Sequence, residues 1–293
     1  MLTNLLYIYK ILYMIQKVSI IGLGFVGQSI YDSFLLNNIK NICVYDKFKN
    51  GGIGSFKKCL KCDIIFLCLP TLYNEENKCY DKSSILETCL NLEKANYKGL
   101  ILIKSTVEPG TCSILSEKFC NLRIVHNPEF LSAKSALNDF HNQKHIVLGK
   151  GKNCSNEDIL DVKGFYEKYY NAEISICSSH ESESMKIFCN SFYSIKVQFF
   201  TELYLLCQKN GTDFDTVRDL MLKNDWINPM HTKVPGPDGN ISYGGLCFPK
   251  DTNALNEYMK KNNTPNSILD SCIKERDVLR ENIITNIIKK YTI

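Results

Sequence analysis

At 293 residues the chain exceeds one ordinary domain and suits two, and with 44% hydrophobic residues each half can bury a core. Charged residues make up 23% and the net charge is +4, with the positive side chains scattered along the chain. That excludes a strongly basic nucleic-acid binder and leaves room for anionic small ligands such as phosphates.

Residues 1–16, MLTNLLYIYKILYMIQ, are apolar but short and carry Lys10, whereas a spanning helix needs roughly 20 apolar residues. They are expected to be an N-terminal extension with no membrane role. Residues 17–21, KVSII, then read as a β-strand, followed by Gly22-Leu23-Gly24-Phe25-Val26-Gly27 and the amphipathic stretch QSIYDSFLLNN. Strand, glycine turn and helix in that order form a dinucleotide-binding fingerprint. Gly22 allows the sharp turn, Gly24 lets the backbone approach a pyrophosphate, and Gly27 lets strand and helix pack. Free N–H groups at the helix start meet the phosphates. A second strand, NICVYD, ends at Asp46, 19 residues after Gly27. An acid there accepts hydrogen bonds from the ribose hydroxyls and repels a 2′-phosphate, so the expected cofactor is NAD.

Further strand-like runs follow at 63–70, 99–106, 123–128 and 145–150, most of them separated by helix-compatible segments. The expected fold is therefore α/β: a Rossmann-type doubly wound parallel sheet over 17–178. Ligands gather at the carboxyl ends of such strands, which makes Pro70, Thr71, Ser105, Thr106, Asn127, Pro128 and Glu129 site candidates by position. From about residue 179 the pattern turns helical, and an all-helical domain is expected over 179–293. Its long apolar helix ends before Gly211, a C-cap. Lys186 and Asn190, four residues apart, share one face of that helix.

Cys59 and Cys62 form a lone C-x-x-C with no second pair to complete a zinc site, and no metal is expected. The fourteen cysteines follow no disulfide framework and no cleavable signal is evident, so a reducing cytoplasm is the expected setting. One cysteine stands apart. In ISYGGLCFPKD, Cys247 follows Gly244 and Gly245, opens a helix that has Pro249 in its first turn, and has Lys250 nearby. A thiol at a helix N-terminus beside a cation is in a setting that favours the thiolate. Asp251 lies one turn further on.

The stretches GLGFVG, FLCLPT (66–71), KSTVEPGT (104–111), NPEFLSAKSALNDF (127–140), MKIFCN (185–190) and GGLCFPKD (244–251) resemble, in order, the motifs of the UDP-glucose/GDP-mannose dehydrogenases. The resemblance covers about residues 17–280. It implies oxidation of a nucleotide sugar, UDP-glucose to UDP-glucuronate, using two NAD per sugar, with Cys247 as covalent nucleophile. It also implies that Lys186 and Asn190 stabilise an oxyanion, that Asp251 orients water or Lys186, that Glu129 is the base of thioester hydrolysis, and that Thr106 positions the water. The loop of Phe130 and Leu131, together with Tyr243, Gly244 and Gly245, would contact the substrate.

Three departures from the family pattern stand out. Ala133 replaces a frequent glutamate. Trp226 stands where an arginine is usual, which leaves His231 and Lys233 as candidate anion contacts. The chain also ends at Ile293, where a third domain of the family is expected to begin. GDP-mannose, UDP-N-acetylmannosamine or a non-catalytic NAD-binding role are the alternatives, and a homodimer through the helix around 185–207 is expected.

Overall fold

The computed structural model describes residues 15–280, so most of the expected extension lies outside the described residues. The chain forms two compact units. Of the described residues, the first takes 15–71 together with Asp81–Met185, and the second takes Leu72–Tyr80 together with 186–280. The sequence-based division at 178/179 lies at the head of a helix. The observed one falls inside that helix and assigns residues 72–80 to the second unit.

The first unit runs β1 (Val18–Ile21), α1 (Phe25–Leu36), β2 (Ile42–Asp46), β3 (Ile53–Gly54), α2 (Phe56–Cys59) and β4 (Ile64–Leu67). The chain then passes through β5 (Tyr73–Asn74) and β6 (Cys79–Tyr80), which pair as an antiparallel hairpin of the second unit. The first unit resumes with α3 (Ser83–Lys94), β7 (Leu100–Ile103), α4 (Thr111–Lys118), β8 (Arg123–His126), α5 (Ala136–His141), β9 (His145–Lys150), α6 (Asn156–Tyr169) and β10 (Glu173–Ser178).

Eight strands form one sheet in the order β10-β9-β8-β7-β4-β1-β2-β3. The five in the middle, β8 to β2, are parallel as expected. The edges correct the all-parallel expectation, because β3 runs antiparallel to β2 and the β9–β10 pair runs antiparallel to β8. At the centre, β4 and β7 are buried on both faces, which explains their continuous apolar runs IIFL and LILI. Along β1 and β4, Ile20, Ile64 and Phe66 point into one core with Phe34 and Phe165, while Ile21, Ile65 and Leu67 point into the other with Leu92 and Leu115. Each such side chain contributes about 1.5–3 kcal/mol on burial. The strand order reverses at β1, whose neighbours are β2 and β4, so the switch point lies at the carboxyl ends of β1 and β4.

A single helix, α7 (Ser179–Asn210), carries the chain from the first unit into the second. It stops at Gly211, whose φ of +68° is the left-handed geometry of a helix-ending glycine, and Thr212 N–H donates back to the Cys207 carbonyl. The second unit continues with α8 (Phe214–Leu222), capped by the Asp213 carboxylate on Thr216 N–H, then a long loop, α9 (Phe248–Lys261) and α10 (Ser267–Leu279). Its core gathers Tyr73 and Tyr80 of the hairpin with Ile187, Ala254, Leu255 and Leu269. Among the described residues no helix is long and apolar enough to cross a membrane.

Candidate active site

In the first unit the three glycines divide their work as the fingerprint requires. A Cβ on Gly22, which has φ +91°, would lie 2.3 Å from the Cys68 carbonyl oxygen, and one on Gly27 would lie 1.8 Å from the Gly22 oxygen. Both are therefore held by close packing between the ends of β1, α1 and β4. A Cβ on Gly24 would meet nothing within 4 Å. The loop is open at that point, so a ligand can approach its backbone. Gly24 also heads α1, whose first turn has no side-chain cap and no acid, which leaves its N–H groups to an anion. Phe25 is exposed at the same point and Val26 is half-buried.

Asp46 ends β2 and ties this loop to the next. Its Oδ2 accepts the Leu23 N–H at 2.7 Å, and its Oδ1 accepts the N–H groups of Phe48 at 2.9 Å and Lys49 at 2.8 Å. Burial alone would raise its pKa, but the three backbone donors and the Lys49 ammonium outweigh it and hold the carboxyl below its ordinary value. A carboxylate has about four acceptor sites. Three are filled, and the remaining one, on Oδ2, is what Asp46 can offer a ribose hydroxyl. These residues fit the phosphates and ribose of a dinucleotide. Asp46→Ala is expected to weaken NAD binding about tenfold or more, as for a lost hydrogen bond to a charged group, and to narrow the preference over NADP. Direct titration with both dinucleotides measures this, and an unchanged ratio of the two affinities would remove Asp46 from the role.

The other strand-end candidates are spent partly on structure. Thr71 donates its hydroxyl to the Thr106 carbonyl at 2.8 Å and Ser105 donates to the Leu69 carbonyl at 2.6 Å, which ties the ends of β4 and β7 together. Pro70 is exposed beside them. Asn127 is buried, accepts from the Lys104 ammonium at 2.9 Å and donates to the Val147 carbonyl at 2.8 Å, so its amide serves the core of the unit. Glu129 is half-buried and accepts the Leu131 N–H at 2.6 Å, so the Leu131 amide is engaged within the chain. Phe130 is 41% exposed.

In the second unit Asn190, Asp251 and Cys247 are linked. Cys247 is the N-cap residue of α9 and is exposed, and of the fourteen cysteines only Cys120 shares that exposure. One turn on, Asp251 is fully buried, and its N–H donates to the Cys247 carbonyl at 3.0 Å. Its Oδ2 accepts the Asn190 amide at 2.6 Å. Its Oδ1 accepts both the Lys250 ammonium and the Tyr80 hydroxyl at 2.5 Å each. The Lys250 ammonium also lies 4.7 Å from the centre of the Tyr80 ring, a cation–π contact. Lys186 and Asn190, one turn apart on α7, are both buried. A buried carboxylate with these donors is fixed in direction, one turn into a helix whose N-cap residue is an exposed cysteine.

Tyr243 is only 2% exposed, and its ring faces Arg276. At Gly244 a Cβ would lie 2.2 Å from the Arg280 guanidinium, so that side chain would have to shift. Gly245, with φ +77°, supplies the turn. Arg280 donates to the Ser242 carbonyl at 3.0 Å and pairs with Asp238, which clamps the glycine loop. The His231 ring packs 4.9 Å from Tyr193 and 5.3 Å from Phe248, and burial, then Lys196, lowers its pKa. Trp226 is 93% exposed and Lys233 is exposed. Tyr80, Arg276 and Arg280 escaped the sequence reading, since nothing local marks a residue whose partner lies tens to hundreds of positions away. Among the described residues no group of three or more His, Cys, Asp or Glu side chains could hold a metal ion.

Comparison with known proteins gives this geometry its context. Residues 46–169 match the UDP-glucose/GDP-mannose dehydrogenase family NAD-binding domain, and residues 180–276 match the central domain of the same family. The UDP-glucose 6-dehydrogenase of Campylobacter jejuni is 28% identical over 306 residues, covering 93% of this chain and 75% of that one. The UDP-glucose 6-dehydrogenase of Rickettsia bellii is 34% identical over 183 residues, covering 61% of this chain and only 41% of its own. The structure of a UDP-glucose dehydrogenase from Pyrobaculum islandicum shares the fold with a TM-score of 0.77 at 22% identity, covering 91% of this chain and 68% of that one. With a glycine loop open at Gly24, an acid at the end of β2, and both domain models matched in order, the chain belongs to the UDP-glucose/GDP-mannose dehydrogenase family of NAD-dependent nucleotide-sugar dehydrogenases, and its cofactor is NAD.

Proposed function

We propose that this protein oxidises UDP-glucose to UDP-glucuronate in two steps through a covalent bond to Cys247. The reading is carried by one observation: the exposed thiol opens α9, and Asp251, one turn on, is buried and held by Asn190, Lys250 and Tyr80. NAD, when bound, accepts a hydride in each oxidation. The chain's own groups do the rest. The Cys247 thiolate adds to the carbonyl carbon of the aldehyde formed first, and the resulting oxyanion of the thiohemiacetal is met by donors on α7, Lys186 and Asn190. Loss of a second hydride leaves a thioester on Cys247, and water releases the acid and restores the thiol. In that hydrolysis Asp251 orients water or Lys186, Glu129 is the base, and Thr106 holds the water. Phe130, Leu131, Gly244 and Gly245 are assigned to substrate contact through their backbone.

The relatives named UDP-glucose 6-dehydrogenase support the choice of sugar. Purified protein is to be mixed with NAD and, separately, UDP-glucose, GDP-mannose and UDP-N-acetylmannosamine, and NADH counted per sugar consumed. Two NADH from UDP-glucose is the expected result. Two from another sugar reassigns the substrate, one per sugar removes the thioester, and NAD binding without turnover of any sugar leaves a non-catalytic module.

The protein is also proposed to be a homodimer through α7. Phe188, Phe192, Phe199 and Leu206 are each at least half exposed and recur at spacings of four and seven, which places them on one face of the helix. Sedimentation at high protein concentration is expected to give twice the monomer mass, and a monomer throughout would refute it.

A further inference from the structure

We propose that Tyr80 is a positioning residue for the reaction, acting through Asp251. The inference rests on the reading above that Asp251 serves the chemistry. Tyr80 lies within the short stretch of chain that leaves the first unit, residues 72–80, and it ends the hairpin β5–β6, which packs on α9 in the core of the second unit. Its side chain is 1% exposed, and a phenol so deeply buried needs a partner. The partner is the Oδ1 of Asp251, 2.5 Å away, on a carboxylate that is itself fully buried.

The arrangement does more than satisfy one hydroxyl. Tyr80 and Lys250 converge on Oδ1 while Asn190 takes Oδ2, so the carboxylate is gripped at both ends and its plane is fixed. The face of the same phenol supports the Lys250 ammonium at 4.7 Å. The hydroxyl therefore orients the acid, and the ring orients the cation that shares it. Charge-assisted bonds of this kind are short and directional, and small displacements of a catalytic group lower the rate without a corresponding loss of binding.

Tyr80→Phe removes the hydroxyl and keeps the ring beneath Lys250. In the full chain, with NAD and UDP-glucose, kcat is expected to fall about tenfold or more, in line with the loss of one hydrogen bond to a charged group. KM for both substrates should stay within about twofold and the melting temperature within a few degrees. Tyr80→Leu, which also removes the ring, should lower kcat further. An active parent whose Tyr80→Phe variant keeps its kcat, or loses only KM, overturns the role of Tyr80 alone. A parent that forms no NADH from any nucleotide sugar refutes the proposed function before any variant is made.

Discussion

Replacing Cys247 by serine is expected to abolish carboxylate formation, lowering it by at least about a thousandfold, or ~4 kcal/mol of transition-state stabilisation. The reason lies in what each group can become at neutral pH. A thiol at a helix N-terminus sits where unfilled backbone N–H groups and the helix dipole favour an anion, and α9 starts at the residue after Cys247. A serine hydroxyl in the same place gains the same small electrostatic help but starts from a far weaker acid, so little alkoxide forms and the aldehyde is not captured. The measurement is uronate and NADH together. Loss of the acid with an intact fold is the expected outcome, and undiminished turnover excludes covalent catalysis by this residue. Alkylation gives a second check: iodoacetamide at position 247 should stop oxidation. Cys120 is the other exposed thiol, so labelling is best mapped in a Cys120→Ser background, where inactivation should be unchanged.

Much of this was legible in the sequence for a physical reason. The central strands β4 and β7 are covered on both faces, so each had to be an uninterrupted apolar run, and the glycine loop and Asp46 sit at fixed offsets from β1. Strand β10 was missed because it lies at the sheet edge, with polar residues alternating along a half-exposed strand. The reversed direction of β9 and β10 was not readable, since strand direction depends on how 127–144 returns the chain. The hairpin at 73–80 was missed as well. Its strands are two residues long, and its value lies in a bond between positions 171 apart. The packing of His231 was not readable, because sequence shows a histidine in a loop, whereas the structure sets its ring against Tyr193 and Phe248.

Asp251→Asn should show how far the buried carboxylate serves stability and how far chemistry. An amide in its place is an acceptor at one atom and a donor at the other. If its oxygen faces Lys250 and Tyr80, its NH2 meets the NH2 of Asn190, and the reverse orientation sets donor against two donors. Either way a buried bond is lost and the Lys250 ammonium, whose side chain is 13% exposed, keeps no carboxylate. Removing one partner of a buried pair costs about 3–5 kcal/mol, and partial solvation of Lys250 argues for the lower end. At about 2–4 °C per kcal/mol the melting temperature should fall by roughly 6–12 °C. Turnover should fall by about a hundredfold or more, as when a preorganised polar group is removed from a reaction centre. Adding Lys250→Met separates the two effects. It removes the unpaired cation, so part of the lost stability should return while activity does not. If the double variant regains both, Asp251 serves the fold alone, and if Asp251→Asn changes neither, the carboxylate has no role in this protein.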